Sequence, residues 1–123
     1  MISGHASSEG TKKFAQNSGV NSKNFNEFQN LTFSNVGIGT YLGEPDSTTD
    51  TLVTNAVKQS INSGVNVIDT AINYRSQKAE RSVGKAISEL ITEDKISRDQ
   101  IFVSSKNGYV TNDADIQLGF GNM

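Results

Sequence analysis

Three side chains in this sequence have the types and positions that a proton-transfer site requires. Asp69 ends the apolar run 65–68, Tyr74 lies in the segment that follows it, and Lys106 comes directly after the run 101–105. If both runs are parallel strands, a carboxylate, a phenol and an ammonium share one edge of the sheet, where strand–helix barrels gather their active sites. The sequence therefore predicts a proton-transfer site built from Asp69, Tyr74 and Lys106.

Reduction of a carbonyl group is the reaction that suits this set. As hydride reaches the carbonyl carbon, the oxygen must receive a proton, and a phenol gives one up more readily when a nearby ammonium lowers its pKa from about 10. Tyr74 is then the proton donor, Lys106 the assisting cation, and Asp69 the carboxylate that holds the lysine charged and oriented. Each residue alone has a structural explanation, as a turn cap, a packed ring or a solvated strand end. Their joint placement is what favours catalysis.

Composition excludes several classes of partner. The 123 residues carry a net charge of −2 and no basic stripe, which argues against nucleic acid or an anionic membrane. No stretch approaches the roughly 18 apolar residues of a membrane span, and no secretory signal is recognisable, so we predict a cytoplasmic protein. Because the chain has no cysteine and its one histidine, His5, lies in a polar segment, no metal site is predicted. The sequence leaves the oligomeric state open.

From residue 36 onward, turn residues and helix-cap residues separate the apolar segments at regular intervals. This pattern predicts the order strand, helix, strand, helix, strand. The strands are placed at residues 36–40, 65–69 and 101–105. The first helix is expected from a Ser47 cap to about residue 63, and the second from about residue 77 to 91. Gly64 closes the first helix. The apolar faces are expected to be Leu52, Val53, Ala56, Val57 and Ile61 in the first helix, and Ala79, Val83, Ala86, Ile87, Leu90 and Ile91 in the second.

Residues 1–30 read as a polar leader that precedes the alternating elements. Ser7, Ser8 and Glu9 predict the start of a short helix through about Gln16, with Phe14 as its apolar anchor. Residues 25–33 carry an irregular apolar pattern, which is compatible with a small hairpin or an extended lead-in that covers the open end of a barrel.

Strand–helix alternation at this spacing implies a parallel sheet covered by helices, either doubly wound or the first part of an eight-stranded barrel. The glycines at 37, 39 and 43 give a competing signal, since a glycine loop between a strand and a helix is typical of dinucleotide-binding units. In such a unit the helix starts at the glycines so that its amides meet the pyrophosphate, yet Glu44, Pro45 and Asp46 intervene here. A nucleotide-binding or regulatory α/β module without catalysis stays open as an alternative.

Four stretches of the chain resemble the aldo-keto reductase family. They are VGIGTY at 36–41, GVNVIDTAINY at 64–74, SVGKA at 82–86 and SKNG at 105–108, of which the Asp-Thr-Ala-x-x-Tyr motif is the most specific. The resemblance implies the N-terminal portion of a (β/α)8 TIM barrel in residues 31–123, with about three parallel strands and two helices. It also implies an oxidoreductase that reduces aldehydes or ketones, small-molecule carbonyl substrates, with NADPH or NADH.

Carried over to this sequence, the resemblance makes Tyr74 the general acid, Lys106 its assisting cation and Asp69 the partner of that lysine, and it places Thr40 and Tyr41 beside the nicotinamide end of the cofactor. The histidine that the family carries at the end of the next strand has no counterpart here. We therefore expect the N-terminal part of an enzyme, inactive alone. Arg75 stands where the family commonly has a small residue, so access to Tyr74 is expected to differ.

Overall fold

The computed structural model describes residues 2–109, which fold into two small sheets and three α-helices. The chain runs through α1 (Ser8–Asn17), β1 (Phe25–Phe28), β2 (Leu31–Ser34), β3 (Ile38–Gly39), α2 (Ser47–Asn62), β4 (Val67–Asp69), α3 (Lys78–Thr92) and β5 (Phe102–Ser104). Single 3-10 turns lie at Ser22–Asn24 and Arg98–Gln100. The predicted alternation of strand and helix from β3 to β5 is confirmed, and a helix and a hairpin precede it.

The parallel sheet has the order β3, β4, β5, with β4 in the middle. Asp69 of β4 is level with Gly39 on one side and Ser104 on the other. Because the strands are parallel, the segments that follow them all leave from the same edge of the sheet. Three strands make an open sheet, so residues 2–109 show a parallel α/β arrangement and not a closed barrel.

The core lies between this sheet and the helices α2 and α3. Ile68 is fully buried in the middle strand, and helix positions spaced three and four apart pack over it because such positions share one face of a helix. The buried apolar residues of the core are Phe14, Val57, Ile61, Ile68, Val83, Ala86, Ile87, Leu90 and Ile101. The predicted face of α3 is therefore confirmed, apart from Ile91, which is only partly buried.

The predicted face of α2 is wrong in part. Val57 and Ile61 are buried, but Leu52 is 63% exposed and Ala56 is exposed, because only the α3-facing side of α2 is covered within the described residues. Its cap also differs from the prediction: the N-cap is Asp46, whose carboxylate accepts a hydrogen bond from the Thr49 amide at 2.7 Å. Gly64, with φ of +99°, ends the helix as expected.

The first predicted strand is much shorter than residues 36–40. Only Ile38 and Gly39 pair with β4, and Val36 is 66% exposed. The second and third strands are confirmed, as Val67–Asp69 and Phe102–Ser104.

The residues before β3 cover the end of the sheet opposite its carboxyl edge. Helix α1 is confirmed, with Ser7 as its N-cap, and its Phe14 ring packs edge-on against Phe25 of the hairpin at 6.4 Å between centroids. Phe33 packs in the same way on Phe102 of β5, at 5.0 Å. The hairpin predicted as one of two options is therefore present, and the boundary placed after residue 30 falls in its tight turn.

A buried asparagine ties the hairpin to the parallel sheet. The side-chain oxygen of Asn66 accepts from the Ser34 amide, and its side-chain nitrogen donates to the main-chain oxygens of Thr32 and Gln100. These bonds satisfy the buried amide and link β2 to the start of β4, so the N-terminal residues are part of the same packed unit as the strands that carry the candidate site.

Candidate active site

Asp69, Tyr74 and Lys106 come together at the carboxyl edge of the parallel sheet. The ammonium of Lys106 lies 2.9 Å from each carboxylate oxygen of Asp69, 2.8 Å from the main-chain oxygen of Thr70, and 3.2 Å from the phenol oxygen of Tyr74. Its Nζ is also 4.8 Å from the centroid of the Tyr74 ring. The structure therefore places the Asp69 carboxylate and the Tyr74 phenol, both predicted from the sequence, within hydrogen-bonding distance of the Lys106 ammonium.

The local backbone explains this convergence. Asp69 and Ser104 are paired with each other at the ends of the neighbouring strands β4 and β5. The two segments that follow these strands are also joined by main-chain hydrogen bonds. The Thr70 amide donates to the Ser104 oxygen at 2.8 Å, and the Ile72 amide donates to the Lys106 oxygen at 3.1 Å. The loop that leads to Tyr74 is thus bonded directly to the main chain of Lys106, which fixes the phenol and the ammonium on the same rim.

The charges of the site are arranged to keep the lysine protonated. The hydrogen bonds from Lys106 to Asp69 raise the pKa of the lysine above its usual value, and the contact with Tyr74 acts in the same direction. Both charged side chains remain about half exposed, at 48% for Lys106 and 47% for Asp69. Because the phenol oxygen accepts a hydrogen bond from the lysine, the phenol hydrogen stays available for another acceptor.

Tyr41 and Thr40, predicted beside a cofactor, take different positions at this rim. The Tyr41 ring is 65% exposed and packs edge-on against the Tyr74 ring, with 5.0 Å between centroids. Thr40 is buried, and its hydroxyl donates to the main-chain oxygen of Asp69 at 3.0 Å. The structure thus brings Tyr41 to the proton-transfer group and uses Thr40 to brace Asp69, while cofactor binding by either residue stays a prediction.

A mainly apolar cleft of about 430 Å³ opens beside these residues. Its walls come from β3, the loop after it, α2 and the end of β4: Ile38, Gly39, Thr40, Tyr41, Leu42, Val53, Ala56 and Asp69. The cleft is large enough for a flat aromatic ring and carries one carboxylate. An uncharged or cationic ring would suit it better than an anion.

Arg75 does not narrow the approach to Tyr74, although the substitution was expected to change access. Its side chain turns away from the rim and is 1% exposed, enclosed between α2 and α3. The backbone of Arg75 has φ of +50°, a conformation that costs an L residue roughly 1–2 kcal/mol and glycine almost nothing.

Glu80 is a contributor to the rim that the sequence did not reveal. One of its carboxylate oxygens accepts a hydrogen bond from the hydroxyl of Ser105, the neighbour of Lys106, and the other accepts from the side-chain nitrogen of Gln77 at 3.1 Å. A carboxylate in the first turn of α3 also interacts favourably with the helix dipole. Only the packing of α3 against the end of β5 indicates the further role of anchoring the segment that carries Lys106.

Neither a metal site nor a membrane segment is found in the described part of the chain. Within residues 2–109, no three His, Cys, Asp or Glu side chains are grouped so that they could hold a metal ion. Over the same residues, every helix is too short or too polar to cross a membrane.

Fold and site together define a parallel α/β chain with a carboxylate, an ammonium and a phenol at the carboxyl edge of its sheet. A sequence profile described as "Aldo/keto reductase family" matches residues 35–119, which is well over half of the 123 residues. The chain therefore belongs to the aldo/keto reductase family, a family of oxidoreductases.

Proposed function

We propose that this chain contributes the first three strands of a (β/α)8 barrel whose active site reduces aldehydes or ketones to alcohols with NADPH or NADH. The observation that carries the proposal is the Lys106 ammonium bonded at once to the Asp69 carboxylate and the Tyr74 phenol. Membership in the aldo/keto reductase family supports the reaction class. Further strands beside β3 and β5 would close the sheet, and the helices that follow them would pack beside α2 and cover its exposed side.

In the proposed mechanism Tyr74 is the general acid. Its phenol hydrogen, left free because the oxygen accepts from Lys106, passes to the carbonyl oxygen of the substrate. Lys106 stays charged and stabilises the tyrosinate that remains, since an opposite charge within about 4–6 Å favours the ionised form. Asp69 holds the ammonium in place through both of its oxygens.

A nicotinamide cofactor fits the residues at one end of the site. The exposed Tyr41 ring and the apolar cleft beside Asp69 offer a flat surface and a wall for the nicotinamide ring. When bound, the cofactor supplies the hydride that the carbonyl carbon receives. Thr40 and Tyr41 are the residues that we propose for this end, with Thr40 acting through Asp69.

The test is Tyr74→Phe in the full gene product that carries this sequence. We expect kcat to fall by about 100-fold or more, because a positioned general acid contributes roughly 10² to 10⁴ in rate. Cofactor affinity should change by less than about twofold, since the lost proton acts in the transition state. Absorbance of the reduced cofactor measures turnover with a panel of aldehydes and ketones, and fluorescence titration measures binding.

Tyr109→Phe is the matched control, because it removes a phenol that is 69% exposed. It should leave both kcat and cofactor affinity unchanged. Turnover of Tyr74→Phe equal to that of the unmodified protein would remove Tyr74 from the mechanism. Cofactor binding without any carbonyl reduction across the panel would favour a nucleotide-binding module in place of an enzyme.

A further inference from the structure

A buried arginine directly follows the proposed proton donor and joins three parts of the fold. The Arg75 Nη1 donates to a carboxylate oxygen of Asp50 in α2 at 2.7 Å and to the main-chain oxygen of Glu44 at 3.3 Å. Its Nη2 donates to the Ser82 hydroxyl in α3 at 3.2 Å. We propose that Arg75 is a positioning residue, which holds the backbone after Tyr74 so that the phenol stays against Lys106. This inference rests on the proposed function of Tyr74.

The backbone of residues 75–77 has an unfavourable conformation, which would change if its restraints were lost. Arg75, Ser76 and Gln77 all have positive φ, at +50°, +55° and +72°. L residues rarely adopt such values, and three in a row persist only where the surrounding structure over-determines them. The guanidinium is one such restraint, because it ties the first of the three residues to both α2 and α3.

Tyr74 is coupled to this turn through its own peptide groups. Its amide donates to the Ala71 oxygen at 3.2 Å, and its carbonyl accepts from the amide of Ala79, in the first turn of α3, at 3.3 Å. The left-handed turn is therefore enclosed between two bonds that define where Tyr74 sits. A change in the turn moves the phenol relative to Lys106, which is held independently by Asp69.

Linking α2 to α3 is not a sufficient explanation for the buried position and hydrogen bonds of Arg75. Lys58 links the same two helices at another point. Its Nζ lies 2.9 Å from a carboxylate oxygen of Glu89 and 3.1 Å from one of Glu93. A buried ion pair is also weak evidence for stability, since desolvation offsets much of its attraction, whereas its geometry is well defined. Holding one conformation of the turn beside Tyr74 is what the Arg75 contacts achieve and the Lys58 contacts do not.

The informative variant is Arg75→Met, because methionine keeps an L residue at φ near +50° and an unbranched side chain but removes the hydrogen-bond donors of the guanidinium. We expect kcat to fall by about 10- to 100-fold with the KM for cofactor nearly unchanged, since a displacement of about 1 Å in a catalytic group has an effect of this size. Asp50→Asn should lower kcat in the same way, and Arg75→Lys should retain part of the activity. Lys58→Met, which breaks the other link between the helices, should keep kcat within about twofold.

A second readout does not depend on turnover. In protein labelled with 3-fluorotyrosine, the fluorine resonance of Tyr74, assigned with Tyr74→Phe, should shift or broaden in Arg75→Met and stay in place in Lys58→Met. The Tyr109 resonance serves as the internal reference. Arg75→Met with unchanged kcat and an unchanged Tyr74 resonance would overturn the inference. If the unmodified protein reduces no carbonyl compound, the proposed function fails, and the fluorine spectra still decide whether Arg75 holds Tyr74.

Discussion

Thr40 donates two hydrogen bonds to one acceptor, the main-chain carbonyl oxygen of Asp69. The amide of Thr40 lies 3.1 Å from that oxygen and its hydroxyl 3.0 Å. Both residues stand where their strands end, and Thr40 is buried. The two hydrogen bonds therefore fix the position of the Asp69 main chain relative to β3, independently of the bonds between the Asp69 carboxylate and Lys106.

Thr40→Val is expected to weaken this link without changing the volume of the side chain. The valine keeps the amide bond and loses the hydroxyl bond, which should lower the free energy of unfolding by about 0.5–1.5 kcal/mol. Urea unfolding measures the loss. Thr40→Ser, which keeps the hydroxyl and loses the buried methyl group, measures the packing contribution separately. A valine variant as stable as the original chain would show that the hydroxyl bond contributes nothing.

Lys106→Met is expected to abolish most turnover while leaving the fold intact. The substitution removes the charge beside Tyr74 and leaves Asp69 without its cation, but the site is half exposed, so water replaces the lost partner. Steady-state kinetics should show a fall in kcat of about 100-fold or more, similar to that of Tyr74→Phe. If the two effects act through one unit, the double variant should be little worse than either single one.

The raised pKa of Lys106 also sets the pH range of its contribution to stability. A group whose pKa is higher in the folded chain stabilises fully below its usual value, here 10.5, and loses that contribution as pH rises through the folded value. The difference in Tm between the original chain and Lys106→Met should thus be constant from neutral pH to about pH 10 and shrink above it. A difference that disappears already near neutral pH would contradict the charged pair.

The cap of α2 offers a prediction that separates two neighbouring residues. Asp46→Ala should lower Tm, because the Asp46 carboxylate accepts from the Thr49 amide, whereas Ser47→Ala should have little effect. The same bond to Thr49 lowers the pKa of Asp46 below its usual 3.8, so its contribution is present above that value and is lost as pH falls through the folded one. The Tm difference should therefore narrow only below about pH 4, as thermal unfolding across pH would reveal.

Strong periodicity was enough to predict the helices, and the polar residues at the strand ends were enough to predict that Asp69 and Lys106 lie on one rim. The α3 face is buried as expected because its apolar residues recur at helical spacing, and Asp69 and Lys106 share a rim because parallel strands end on the same side. The cap at Asp46 and the exposure of Leu52 were missed. The sequence does not distinguish between Asp46 and Ser47 as the N-cap, because both residue types are good caps. An apolar helix face is buried only where another element covers it, and the sequence pattern does not show which part is covered.

The sequence by itself determined the family, the order of the elements and the choice of Asp69, Tyr74 and Lys106 as candidate site residues. Residue type and spacing along the chain carry that information. Only the tertiary structure decided that Thr40 braces Asp69, that Glu80 holds Ser105, and that Arg75 turns inward to join α2 and α3. These contacts connect residues 25 to 29 positions apart or bury a charged side chain that usually stays in solvent. Their partners are selected by how the helices pack on the sheet, which local pattern does not encode.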